Sequence, residues 1–160
     1  MLFRNQFQQA YVTHDIEQAI DLLEHRYGIT GLTPIDLDID VSTPKGADKL
    51  TMKLAFAWVG RNQVELIQPI SGCIQHYVDS LPEDVRDFRP QFNHIAMRCD
   101  DILSVLKEAE RLKLPVLLEG NTETLRFLYI DARQDTGHIL EYVWSSPDIW
   151  DILGWPQEVA

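Results

Sequence analysis

Four polar side chains fall where this 160-residue chain would otherwise bury hydrocarbon. They are Gln8 in the run Phe7–Thr13, Glu65 in Val64-Glu65-Leu66-Ile67, His94 in Phe92-Asn93-His94-Ile95-Ala96, and Glu141 in Ile139-Leu140-Glu141-Tyr142-Val143. Each run is apolar and β-branched or aromatic enough to read as a strand. Two carboxylates buried together repel one another and lose their hydration, and a divalent cation removes that cost. Nitrogen and oxygen donors of these kinds suit such a cation and leave room for water or substrate. Taken singly, none of the four is telling. A strand His also packs as a core or rim residue, a strand Glu also faces water, and Gln8 beside Gln9 says little.

Their placement in a repeated order of elements gives them meaning. After the first strand, Asp15 opens a helix whose Ile16, Ala19, Ile20 and Leu23 recur at helical spacing, and Gly28 stops it. Ile35–Val41 alternates apolar residues with Asp36, Asp38 and Asp40, which predicts a strand with one buried and one wet face. Ser42–Lys49 reads as an exposed turn, and Leu50–Val59 with Gln63–Gln68 as a hairpin about Gly60-Arg61-Asn62. Beyond a Gly- and Pro-punctuated stretch the order recurs. Phe92–Cys99 reads as a strand, and Asp101 opens a helix with Ile102, Leu106, Ala109 and Leu112 inward. Strands follow at Pro115–Glu119, Leu125–Asp131 and Ile139–Trp144.

The halves also match in spacing. Gln8 stands seven residues before Asp15, and His94 seven before Asp101. Both aspartates fall at a helix N-terminus, where negative charge is favourable. The expected fold is therefore α+β: tandem βαβββ modules, about residues 5–70 and 91–145, forming a curved mixed sheet around one cavity. A linker at 71–90 joins them within a single domain, and an aromatic tail covers 146–160. First and last strands of the two halves can then carry all four polar residues into one cleft.

Gln8-to-Asp15, VELIQP (Val64–Pro69), FNHIAMRCDD (Phe92–Asp101) and LRFLYIDARQDTGHILEY (Leu125–Tyr142) together resemble the vicinal oxygen chelate superfamily, the glyoxalase, bleomycin-resistance and dioxygenase group. The resemblance spans roughly residues 5–145 and is nearest to the branch of methylmalonyl-CoA epimerase-like and glyoxalase I-like proteins. It implies Gln8, Glu65, His94 and Glu141 as ligands of a divalent metal, zinc first, with nickel, cobalt, manganese or magnesium as alternatives. It further implies a lyase- or isomerase-type reaction. The metal polarises a carbonyl while Glu141, with Glu65 as its partner on the opposite side, removes the adjacent proton. Family epimerases show two histidines and a glutamine, so Gln8 and Glu65 depart from them. Extradiol dioxygenases need two histidines and a carboxylate for iron, and only one histidine is well placed here. The other reading of the same fold is a metal-free module that sequesters a small molecule.

Arg98 shares the inward face of its strand with His94 by parity. It could pair bidentately with a carboxylate or phosphate of the substrate, a small molecule bearing a carbonyl, and Arg126 and Tyr129 are similar candidates. No residues match those that hold glutathione carboxylates. The net charge of −11, from 25 acidic against 14 basic residues, argues against highly anionic substrates, nucleic acid and anionic membrane surfaces. No apolar run is long enough to span a membrane and no signal peptide is evident, so a cytoplasmic homodimer with two free, buried thiols, Cys73 and Cys99, is expected. Asp36, Asp38 and Asp40 lack the loop of a calcium site. His14, His25 and His76 read as surface and His138 as a turn residue. Ile149, Trp150, Ile152, Leu153 and Trp155 predict a tail that docks on the domain or across a dimer, or closes the pocket.

Overall fold

A computed structural model describes residues 2–152. Leu153 and Trp155 of the expected tail lie outside the described residues. The first half runs β1 (Gln6–Val12), α1 (Ile16–Tyr27), β2 (Ile35–Thr43), β3 (Gly46–Val59) and β4 (Asn62–Gly72). A short α2 (Gln75–Val78) follows. The second half repeats the order as β5 (Gln91–Arg98), α3 (Ile102–Leu112), β6 (Val116–Asn121), β7 (Leu125–Asp131) and β8 (Ile139–Ser145), with a single turn, α4 (Arg133–Thr136), before β8. The helix α5 (Pro147–Ile152) ends the described chain. No described helix is long and apolar enough to cross a membrane.

In each half the first strand pairs in parallel with the last, β1 with β4 and β5 with β8, while the remaining neighbours are antiparallel hairpins. The halves join edge to edge through an antiparallel β1–β5 ladder and a two-residue β2–β6 contact. The mixed sheet thereby closes on itself in the order β1-β4-β3-β2-β6-β7-β8-β5. Side-chain alternation sorts the strands into an inside and an outside. Ala10, Val12, Ile67, Phe127 and Val143 point into the barrel, whereas Leu66 meets α1 and Ile95, Leu128 and Leu140 meet α3.

The helices start where the aspartates stand. Asp15 accepts a hydrogen bond from Gln18 N, and Asp101 accepts one from Leu103 N, so each satisfies an orphan donor of its first turn. Four local readings change. The exposed turn at 42–49 shrinks to Pro44-Lys45, because β2 and β3 run on as a projecting hairpin that is wet on both faces. Strand β4 continues to Gly72, into the stretch read as a linker. Leu112, read as inward, is 42% exposed on the last turn of α3, and His76, read as surface, is only 7% exposed. Cys73 and Cys99 are both free and half-buried.

Candidate metal centre

Two alanines make room for the polar residues. On the inner face Ala10 of β1 stands opposite Glu65 of β4 on one side and His94 of β5 on the other. Ala96 of β5 likewise stands between Gln8 of β1 and Glu141 of β8. Both alanines are fully buried. A methyl group at each position lets longer side chains from the flanking strands meet above it. The sequence reading passed over these residues, although Gln8-x-Ala10 and His94-x-Ala96 repeat the same signal in the two halves.

Glu65, His94 and Glu141 each offer a ligand atom, and these atoms lie within 4.8 Å of one another. His94 Nε2 is 3.2 Å from Glu141 Oε2 and 3.7 Å from Glu65 Oε2. The orientation of the imidazole is fixed from behind. The Asn93 amide nitrogen donates to the His76 carbonyl and to Ser80 Oγ, both at 3.0 Å. Its oxygen therefore faces His94, 2.9 Å from Nδ1, so Nδ1–H must donate and the lone pair of Nε2 points at the carboxylates. Gln8 is set the same way by a different partner. Its Nε2 donates to Gln63 Oε1 at 2.7 Å, which leaves Gln8 Oε1 buried with no hydrogen-bond partner among the described residues.

A buried imidazole nitrogen, two carboxylates and an orphaned amide oxygen are a donor set that fits a divalent metal ion. Burial and the neighbouring Glu141 charge push the Glu65 carboxyl well above its ordinary range, the expected result when two acids share a site with no cation between them. Tyr129 closes the site from β7, where it stands opposite Glu141. Its hydroxyl lies 3.5 Å from His94 Nε2 and accepts a hydrogen bond from the Tyr77 hydroxyl at 3.0 Å. Burial raises both phenols far above their usual range, so Tyr129 keeps its proton and can donate it in a hydrogen bond. Tyr77, His76 and Asn93 were not anticipated, because their roles exist only once the segment after β4 folds back on β5.

Gln8, Glu65, Tyr129 and Glu141 line one cavity of about 150 Å³. Its remaining wall is mostly hydrocarbon and aromatic ring, including Phe56, Trp58, Phe127 and Trp150. Gly120 is needed for one of these faces, since a Cβ there would come within 2.1 Å of the Phe127 ring. Neither arginine singled out in the sequence lines the cavity. Arg98 does lie on the inward parity of β5, but at the strand end, with its guanidinium 5.0 Å over the Trp150 ring. Arg126 has the parity of Leu128 and pairs with Glu119 at 2.5 Å on the outer face. Trp150 of α5 docks on the domain, 3% exposed and edge-on to Phe7 at 5.5 Å.

Solved structures share this architecture at low identity. Methylmalonyl-CoA epimerase from Mycobacterium tuberculosis is 14% identical, with a TM-score of 0.54 over 94% of this chain and 93% of that one. A methylmalonyl-CoA epimerase in complex with methylmalonyl-CoA and NH4+ is 13% identical, with a TM-score of 0.56 over 89% and 95%. A variant of the Streptomyces coelicolor epimerase bound to 2-nitronate-propionyl-CoA is also 13% identical, at 0.54 over 89% and 95%. No curated protein sequence matches the chain. The family model described as Glyoxalase/Bleomycin resistance protein/Dioxygenase superfamily matches residues 7–128, from β1 into β7. With the paired modules, the closed mixed sheet and that match in agreement, the chain belongs to the glyoxalase/bleomycin resistance/dioxygenase superfamily.

Proposed function

We propose that this protein is a metal-dependent enzyme that removes a proton from the carbon next to a carbonyl, as an isomerase, an epimerase or a glyoxalase-like lyase. One observation carries the reading: Glu65, His94 and Glu141 bring their donor atoms within 4.8 Å of one another in a buried cavity. Gln8 completes the proposed ligand set. A divalent ion held there supplies Lewis-acid polarisation of the substrate carbonyl. Zinc heads the candidates, since one nitrogen and several oxygens match its preferences, with nickel, cobalt, manganese and magnesium behind it.

The chain's own residues do the rest. Glu141 accepts the proton from the carbon, and the C–H electron pair moves toward the carbonyl oxygen as the carbon–carbon bond gains double-bond character. Tyr129, its oxygen held by Tyr77, donates a hydrogen bond to that oxygen. Return of a proton from Glu65 to the opposite face of the same carbon gives epimerisation. Return from Glu141 to the neighbouring carbon gives isomerisation. General-base catalysis of this kind is worth about 10²–10⁴-fold.

Elemental analysis of untagged protein purified without chelators tests the reading, beside a His94→Ala, Glu141→Ala double variant. About one equivalent of a transition metal in the wild type, lost in the variant, is expected. No metal in either, even after incubation with zinc, nickel or manganese, would sink it and leave the metal-free binding module. Where metal is held, solvent deuterium should wash into α-carbonyl positions of a substrate panel, and Glu141→Gln should slow this by about 10²-fold or more.

A further inference from the structure

We propose that the cavity takes an uncharged, largely apolar carbonyl compound, a single-ring aryl or short branched alkyl ketone or aldehyde, and rejects carboxylate-bearing and polyanionic molecules. This rests on the carbonyl chemistry proposed above and names its substrate class. Charge is the first argument. No lining side chain among the described residues is Lys or Arg, whereas two carboxylates, Glu65 and Glu141, face the interior. A divalent ion in the site would neutralise that pair and leave no surplus positive charge for a second anion. A substrate carboxylate would then lose its hydration with no cation to pair with, which is among the costliest things an interior can be asked to do.

Arg98, Arg126 and Lys49 are committed elsewhere. Arg98 sits over the Trp150 ring and lines a separate cleft, and Arg126 pairs with Glu119 on the far face of β7. Lys49, on the hairpin that carries Leu37 and Met52 into the cavity wall, lies 3.5 Å from Asp38 and 3.6 Å from Asp40. The net charge of −11 adds a long-range repulsion of any approaching polyanion.

Shape is the second argument. Phe7, Phe56, Trp58, Phe127 and Trp150 offer ring faces and edges on several sides of the cavity. Aromatic and aliphatic walls with a few convergent polar groups are the usual make-up of a site for an apolar guest. A volume of about 150 Å³ is of the order that holds a benzene-sized molecule. The carbonyl of the guest would meet Tyr129 and the Glu65–His94–Glu141 cluster, while its hydrocarbon would pack on the rings of the wall.

Calorimetric titration with an isosteric pair, 4-nitroacetophenone and 4-acetylbenzoate, isolates charge from shape. Both metal-free and zinc-incubated full-length protein are titrated, with coenzyme A as the polyanion. The neutral ketone should bind at least about tenfold more tightly than the carboxylate in both forms, and coenzyme A should give no saturable heat. Leu37→Lys, at a half-buried position on the cavity wall, should narrow the difference by about tenfold or more. Equal or tighter binding of 4-acetylbenzoate, saturable binding of coenzyme A, or no binding of the neutral ketone overturns the proposal. Neutral-ketone preference in a protein that holds no metal keeps the ligand class and removes the chemistry, so the two readings fail separately.

Discussion

The two halves of the barrel present equivalent residues from equivalent strands, yet they hold them differently. Gln8 and Glu65 come from β1 and β4, and His94 and Glu141 from β5 and β8. In the first half the bracing is internal: Gln63, on the strand that carries Glu65, takes the Gln8 amide. In the second half it comes from the segment between the halves, where His76, Tyr77 and Ser80 hold Asn93 and Tyr129. The long hairpin β2–β3 of the first half is spent on cavity wall, and its shorter counterpart β6–β7 supplies Tyr129. Duplicated modules thus diverge in labour. One builds mainly the apolar surface, and the other holds His94 and Tyr129 in fixed orientations.

If the connector braces the second half, acid should loosen it through His76. Burial chiefly, with the nearby His94 and Arg133, pulls the His76 pKa down to about 4, against the opposing pull of Asp79 and Asp131. A folded value below the unfolded one of about 6.5 means the neutral ring favours the folded state. That contribution is fully present above about pH 6.5 and disappears as the pH falls toward 4, a loss of roughly 3 kcal/mol. Urea unfolding of wild type and His76→Gln across this range checks it. The wild-type advantage should shrink by roughly that amount on acidification. An advantage that does not change with pH would mean His76 does not sit neutral against the site.

Removing one brace from each half compares them directly. Asn93→Ala frees the His94 ring and should weaken zinc binding about 10–100-fold, the usual loss when the partner of a ligating histidine is removed. Gln63→Ala removes one neutral hydrogen bond from Gln8 and should cost only about two- to tenfold. Chelator competition measures both. Equal losses would abolish the division of labour drawn above.

Residue pattern reached a good part of this arrangement, and its failures have a common cause. Gln8, Glu65, His94 and Glu141 stand out because a polar group interrupts an apolar strand at corresponding points of two repeats. The aspartate caps are legible for the same local reason. His76, Tyr77 and Asn93 are not, since a His-Tyr pair in a Gly- and Pro-punctuated stretch reads as surface until the chain folds back across β5. Arg98 shows the limit of parity: its face is inward as expected, but its place at the strand end puts it against Trp150 and not among the ligand candidates. The projecting arms of β2 and β3 were read as turn because a hairpin wet on both faces lacks the alternation that marks a half-buried strand.

The helices offer the smallest and cleanest comparison. Each ends in a left-handed residue whose N–H closes the last turn, Gly28 at φ 69° after α1 and Lys113 at φ 58° after α3. Glycine adopts that conformation without strain, whereas a side chain there crowds its own backbone. Lys113 is exposed, so its side chain contributes little that would be missed. Lys113→Gly should therefore stabilise the protein by about 0.5–1 kcal/mol, raising Tm by about 2–4 °C per kcal/mol. Gly28→Lys should do the reverse, for conformational reasons alone, because a Cβ at that position meets nothing within 4 Å. Opposite signs in the two melting curves would show that both modules stop their helices by the same device and that only the first uses the residue suited to it. Matching signs would mean that the turn after α3 is held by contacts beyond the cap, and the helix ends would then have diverged as far as the bracing of the site.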